Sequence, residues 1–426
     1  MKRRYNLGVL AGAGLLLALS GTAAMAPVQI TVWHSLGGGT GKAFQQIVAD
    51  FKAAHPEIAV DLVYAGGYGA GLQKAQVAWA AGNAPNVAMF EQTRATIFED
   101  TGALLPLEPF IKGPNGIDIN DFYPPMRATV TYHGTIYGLP YNPSTPLMYY
   151  NRDLFRSSGL APEAPHTWQQ LKDDSAKIAR DKNGDGKQDT YGMDFYAWGW
   201  MLEAWLGENG AQVVSDDGKR FVFNSPKAVE AMQWLQDFVN KEHLGTAHGG
   251  YPMFWAGNLA MGERSTASLA GNIASAKKNN VDMDVAPLVC NAQCYAPIGG
   301  GNFVLFNTGT AEQKQAAWTF LKFITSAEEQ VKFSIASGYM VSRRTAFALP
   351  QMQSFFSSNP MYAVTYKQLD YAHPRPQTPV WEPVAKIISD FYKAQFDGNV
   401  NIQADLDKRV QQSQVLLDEY FKKKGA

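Results

Sequence analysis

Between residues 27 and 91 the apolar positions change period several times, and each change predicts an element. Residues 29–33 alternate around β-branched side chains and predict a strand. Residues 37–41 are glycine-rich and predict a turn. Residues 43–51 space their apolar side chains as one face of a helix. A second strand follows at 58–64, a second helix at 72–81, and a short buried strand at 87–90. The β-α-β-α-β order predicts a parallel sheet with helices on its faces. Such sheets bind ligands at the carboxyl ends of their strands. Trp33, His34, Ser35, Tyr68 and Glu91 fall at or just beyond those ends.

The later chain predicts a second body. A strand at 147–150 leads into helices at 168–180, 198–208 and 227–241; in the last, Val229, Met232, Leu235 and Val239 mark one buried face. Strands follow at 285–288 and 302–306, with helices at 313–323, 328–337, 384–391 and 406–421. A chain of 426 residues is too long for one core, so two domains are expected. No repeat or low-complexity linker separates them, as expected if the chain passes between the lobes more than once.

The first 26 residues read as a secretory signal peptide. Lys2, Arg3 and Arg4 precede an uncharged, mostly apolar run at 7–19, and small residues follow. Cleavage is expected after Ala24 or Ala26. The run is too short to span a bilayer comfortably, and it carries no cysteine for a lipid anchor. The mature protein is therefore expected outside the cytoplasmic membrane, in the periplasm or cell envelope. The formal charge of the whole chain is −1. Losing three positive charges with the signal leaves the mature protein mildly acidic, which gives no support for nucleic-acid binding. In an exported chain Cys290 and Cys294 are expected to form a disulfide, worth about 2 kcal/mol for so short a loop. A metal site is the weaker reading, because no His lies near them.

Several motifs invite chemistry. Gly37 to Lys42 resembles a nucleotide-binding loop, but Leu36 stands where its first Gly should be and Ala43 where its Ser or Thr should be. A strand-to-helix turn that favours an anion, or a plain tight turn, remain as its readings. Asp181, Asn183, Asp185 and Asp189 carry oxygens at the spacing of a calcium loop, with Gly186 at the required turn. The twelfth position is Gly192 rather than Glu, so a structural calcium needs a ligand from elsewhere; the other reading is a solvated polar turn. The histidines are scattered without zinc spacing, and no Ser nucleophile elbow is present. Nothing singles out the paired carboxylates of a glycoside hydrolase, the remaining enzymatic alternative.

Five stretches together resemble a known family. They are Trp33-His34-Ser35, the Gly82-Asn83-Ala84-Pro85 turn, the run from Tyr149 to Phe155, the run from Phe254 to Met261, and Ser337-Gly338-Tyr339. The chain resembles the extracellular solute-binding proteins of carbohydrate ABC importers, the maltose-binding-protein-like group. Asn142 to Pro146, Trp198 and Trp200, and Gly299-Gly300-Gly301 are most similar to its glycerol-3-phosphate-binding members. The resemblance implies no enzyme, no required cofactor, and an α/β fold of two lobes (type II) with the ligand between them. The lobes would take residues 27–139 plus 300–338, and 140–299 plus 339–426. The implied ligand residues are Tyr68, Glu91, Ser144, Trp198, Trp200, Ser268, Gly300, Tyr339 and Arg375. A carboxylate at Glu91 suits hydroxyl donors, an indole face suits polyol C–H groups, and a guanidinium at Arg375 suits phosphate. The surroundings His373-Pro374-Arg375-Pro376 depart from the family's usual pattern. The function implied is capture of glycerol-3-phosphate or a glycerophosphodiester by hinge closure, as a monomer that delivers to an ABC permease. A neutral sugar or oligosaccharide is the alternative ligand.

Overall fold

The computed structural model describes residues 1, 26–398 and 400–425. Apart from Met1 and Ala26, the expected signal peptide lies outside the described residues. In chain order, β1 (Val28–His34), α1 (Gly38–Ala54), β2 (Ile58–Tyr64), α2 (Tyr68–Ala80), β3 (Val87–Glu91) and β4 (Gly138–Pro140) begin the molecule. The chain then makes β5 (Pro146–Asn151), β6 (Tyr191–Asp194), α3 (Gly199–Glu208), β7 (Gly245–Thr246), β8 (Leu259–Ser265) and β9 (Met283–Ala286). It returns as β10 (Gly301–Leu305), and α4 (Trp381–Ala394) lies near the end.

These strands form two five-stranded sheets, ordered β2-β1-β3-β10-β4 and β9-β5-β8-β6-β7. β1 runs parallel to β2 and β3, as the opening pattern predicts, and β10 is antiparallel to β3. The first core joins Ile30 and Val32 to Phe44, Ile47 and Phe51 of α1 and to Phe320 and Leu321. The second joins Met193 and Phe195 to Trp205 and to Ile388 and Phe391 of α4. Each such side chain contributes roughly 1.5–3 kcal/mol by leaving water.

The glycine-rich stretch is not a separate turn but the first turn of α1, which starts at Gly38. Gly38 has φ +54, and a Cβ on Gly41 would lie 2.6 Å from the Leu36 carbonyl oxygen, so the strand can turn this sharply into the helix only with glycine there.

Residues 140–146 and 297–301 cross between the sheets, and residues 338–342 bond to them. The Ser144 N–H donates to the Gly299 carbonyl at 3.0 Å, and the Gly299 N–H returns the bond to Ser144 at 2.7 Å. The Met340 N–H donates to the Pro143 carbonyl at 3.0 Å. Beyond them, the helices Arg344–Ala348 and Pro350–Ser358 stay with the first lobe's helix Ala327–Ser337. Val331 of that helix is covered by Ala346, Met352 and Phe356. The chain meets the second sheet again from Met361 and Tyr362 onward, later than the expected boundary at 339. Cys290 and Cys294 are joined by a disulfide. No helix among the described residues is long and apolar enough to cross a membrane.

Candidate functional site

Where β3 ends, the crossing segments and α3 enclose a cleft of about 210 Å³. Eight of the nine residues implied by the resemblance line it: Tyr68, Glu91, Ser144, Trp198, Trp200, Gly300, Tyr339 and Arg375. Ser268 does not. It faces an adjoining cavity, and the serine in the cleft is Ser265, at the end of β8. Ser265 caps the short 3₁₀ turn that holds Ser268, which carries the later serine away from the cleft.

One wall is aromatic. Trp198 is the N-cap of α3 rather than part of it, so it does not obey helical spacing relative to Trp200. The two rings meet edge-on, 5.1 Å apart. Trp200 is buried and its Nε1–H donates to the Pro297 carbonyl, whereas Trp198 is 42% exposed. Opposite, the Tyr68 hydroxyl accepts from Asn142 Nδ2 at 3.1 Å, and Asn142 Oδ1 accepts the Gly301 N–H at 2.9 Å. Burial pushes the Tyr68 and Tyr339 phenols up, so both stay neutral. Gly300, at φ +98, could not carry a side chain: its Cβ would lie 2.0 Å from the Asn142 carbonyl oxygen. On Gly299 a Cβ would strike the Trp200 ring at 2.5 Å. The glycine run thus lets the crossing strand lie against both the other crossing segment and the indole.

The charged floor differs from expectation. Arg375 is buried, and its Nε and Nη2 donate to Glu203 at 2.9 and 2.7 Å. Its Nη1 donates to Glu91 at 2.9 Å. Burial works against the charge of Arg375, but Glu203 and Glu91 outweigh it and raise its pKa. Burial raises the Glu203 carboxyl, with Arg375 pulling it back. The guanidinium fork expected to grip phosphate is therefore already occupied by carboxylates, because a charge so far from water needs partners.

The cation with spare capacity is Arg94, which the sequence reading did not single out. Its Nη2 bonds Glu382 at 2.9 Å, while its Nη1 is buried in the cleft wall with no partner among the described residues. The Thr93 N–H and hydroxyl bond Glu91 Oε2, fixing that carboxylate. Glu203 was also missed. Its signal was a Glu in the middle of Gly199–Glu208, a helix that apart from Glu203 and its last residue, Glu208, is apolar enough to be buried on every side. Arg94 offered only its place three residues beyond Glu91.

The calcium-like loop lies apart from this cleft. Asp181 accepts the Gly184 and Gly186 N–H groups, and Asn183 and Asp185 accept those two residues further on. A carboxylate has lone pairs beyond those used, so the donor set suits a hard cation in type. As arranged, no three His, Cys, Asp or Glu side chains converge tightly enough to hold a metal ion among the described residues.

Comparison with known proteins adds the relationship. The pattern of the family described as "Bacterial extracellular solute-binding protein" matches residues 46–361. The sn-glycerol-3-phosphate-binding periplasmic protein UgpB of Pectobacterium atrosepticum is 28% identical over 428 residues, covering 96% of this chain and 95% of the relative. The protein of that name from Yersinia pseudotuberculosis is also 28% identical, covering 92% and 93%. Among solved structures, UgpB from Mycobacterium tuberculosis in complex with glycerophosphocholine superposes with a TM-score of 0.80 at 23% identity, covering 93% of this chain and 99% of the other. The cyclic α-maltosyl-1,6-maltose-binding protein of Arthrobacter globiformis gives 0.80 at 20% identity, covering 92% and 100%. The fold is thus the two-lobed one of periplasmic sugar-binding proteins.

Proposed function

The chain belongs to the bacterial extracellular solute-binding proteins, and we propose that it captures a glycerol phosphodiester and delivers it unchanged to a membrane ABC importer. The observation that carries this reading is the unpartnered Arg94 Nη1 in a cleft whose other guanidinium is already neutralised. Arg94 Nη1 is closed to solvent as it stands, so a shift of the side chain towards the ligand would complete its charge-assisted bond to an anionic oxygen. Arg94 and Arg375 face Glu91, Glu203 and Glu382, so the cleft has no positive surplus. A phosphodiester brings one negative charge, whereas a phosphate monoester brings about −1.5 to −2 near neutral pH. The diester is therefore favoured over glycerol-3-phosphate itself. Trp198 and Trp200 would cover glycerol C–H groups, and Glu91 would accept its hydroxyls. The glycerol-3-phosphate relatives support the glycerol part of this assignment. In this reading the signal directs export, and the monomer works outside the cytoplasmic membrane.

A neutral sugar is the second reading, favoured by the same lack of positive surplus and by the indole pair. Calorimetry on the purified mature protein separates the two. A one-to-one heat of binding from glycerol phosphodiesters, a weaker one from glycerol-3-phosphate and none from maltose is expected, with the ligand recovered intact. Tight maltose binding without response to any glycerol phosphate overturns the proposal, and release of a hydrolysis product overturns the non-enzymatic part of it.

A further inference from the structure

Behind Trp198 and Ser265, which line both spaces, the cleft adjoins a second cavity of about 460 Å³. Its inner end is built from Arg264 and Asp194, 8% and 1% exposed. Arg264 Nη2 donates to Asp194 Oδ2 at 2.6 Å, and Arg264 Nη1 to the Glu263 carbonyl. The guanidinium lies over the Tyr196 and Tyr251 rings, 4.7 and 4.9 Å from their centroids. Asp194 Oδ1 is buried and has no partner among the described residues. Gly249 packs beside it: a Cβ there would lie 3.6 Å from that oxygen and collide with Thr246 and Met253 at 2.8 and 2.9 Å. Tyr196 and Trp198, 45% and 42% exposed, stand edge-on at 6.1 Å along the way in.

An orphaned carboxylate oxygen is an unmet demand for a donor. A quaternary ammonium could meet it by charge and usually seeks aromatic faces. Here those faces already hold the Arg264 guanidinium, which repels a second cation. A hydroxyl donates to Asp194 without bringing charge, and the exposed aromatic rings cover the C–H groups beside it. We propose that this cavity is a headgroup subsite, and that it selects glycerol phosphodiesters whose second arm is uncharged and rich in hydroxyls over those ending in a quaternary ammonium. The inference rests on the glycerol phosphodiester reading of the cleft.

Calorimetry with glycerol-3-phosphate, glycerophosphoinositol and glycerophosphocholine tests it, on the wild type, Asp194→Asn and Tyr196→Ala. Circular dichroism and melting curves show whether each variant is folded. The wild type is expected to bind glycerophosphoinositol at least tenfold more tightly than glycerophosphocholine. Tyr196→Ala, at a part-exposed site, is expected to fold and to lose most of that margin. Its affinity for glycerol-3-phosphate, which has no second arm, should be unchanged. Asp194→Asn should do the same if folded. Equal or tighter binding of glycerophosphocholine overturns the subsite, as does an unchanged margin in Tyr196→Ala. If no glycerol phosphate binds at all, the cleft assignment fails, and the subsite falls with it.

Discussion

Two arginines share the cleft in unlike company. Arg375 holds two carboxylates together, and Arg94 keeps a donor free. Arg94→Gln should therefore weaken phosphodiester binding by roughly 1.5–3 kcal/mol, the value of a charge-assisted hydrogen bond, with little change in melting temperature. Arg375→Gln should destabilise the fold by roughly 3–5 kcal/mol, because it leaves Glu203 buried without its partner. Calorimetry and thermal melts on the two variants check this, and a normal melting curve for Arg375→Gln would count against the pairing described. Resemblance located Arg375 but could not reveal its partners, since Glu203 is far away in sequence and acts through a contact the chain makes only when folded. A further charge lies deeper. Burial pushes the Glu263 carboxyl from an ordinary 4.5 up to about 8, although a bond from Trp205 and the nearby Arg264 pull it back. Between these values the folded protein holds a proton that the unfolded chain has released. Stability from this group is thus full below about pH 4.5 and is lost as pH rises through about 8. Glu263→Gln should raise the melting temperature more at pH 8 than at pH 5, and parallel pH profiles for variant and wild type would sink the argument.

Among elements, those with a plain period were legible and those carrying charges were not. β1, β2 and α1 follow the predicted order because each alternates or repeats its apolar positions against one core, and β3 because its short run is buried on both faces. The helix Pro226–Gln236 keeps Met232 and Leu235 buried as its period implies, though Val229 is only half-buried beside Ala228 and Ala231. β8, at the centre of the second sheet, was not predicted. Its sequence LAMGERS places Glu263 and Arg264 in the sheet interior, where a strand is expected to be apolar on both faces. The pair is tolerated because Trp205 donates to Glu263 and Asp194 pairs with Arg264, partners supplied by α3 and β6. The loop at 181–189 was legible as a turn from its Asp and Gly spacing, and its own backbone bonds hold it. We propose calcium there as a structural ion. Saturating calcium should raise the melting temperature and leave ligand affinity unchanged, since the loop lies outside the cleft. Exhaustive chelation with no effect on the melting curve, and no metal by elemental analysis, would remove the ion from this account.

For the whole molecule, the number of crossings decides how it can move. The two sheets are joined through residues 140–146 and 297–301 and again between residues 358 and 361, and the first two segments bond to each other and to residues 338–342. They contain Pro140, Pro143, Pro297, Gly299, Gly300 and Gly338, and Ser144, Gly300 and Tyr339 among them also line the cleft. That the chain crosses more than once was readable from the missing linker, and the resemblance implied crossings near residues 139, 299 and 338. Where the last lies was not readable, since Arg344–Ala348 and Pro350–Ser358 are held to the first lobe by packing on Val331. The cleft takes Glu91 and Tyr68 from the first sheet's side and Ser265, Trp200 and Arg375 from the second's. A ligand reaching both sets gains its full contacts only when the lobes are together. It therefore binds the closed form with a differential free energy, and this is what shifts the population towards closure. Rotation at φ and ψ angles within three short segments leaves both sheets intact. Adding a glycerol phosphodiester should reduce the radius of gyration in small-angle scattering, with circular dichroism unchanged. An equally compact protein with and without ligand, once binding is confirmed on the same sample, would argue for a cleft that is rigid or already shut. Delivery to an importer would then have to be signalled by something other than the relative position of the lobes.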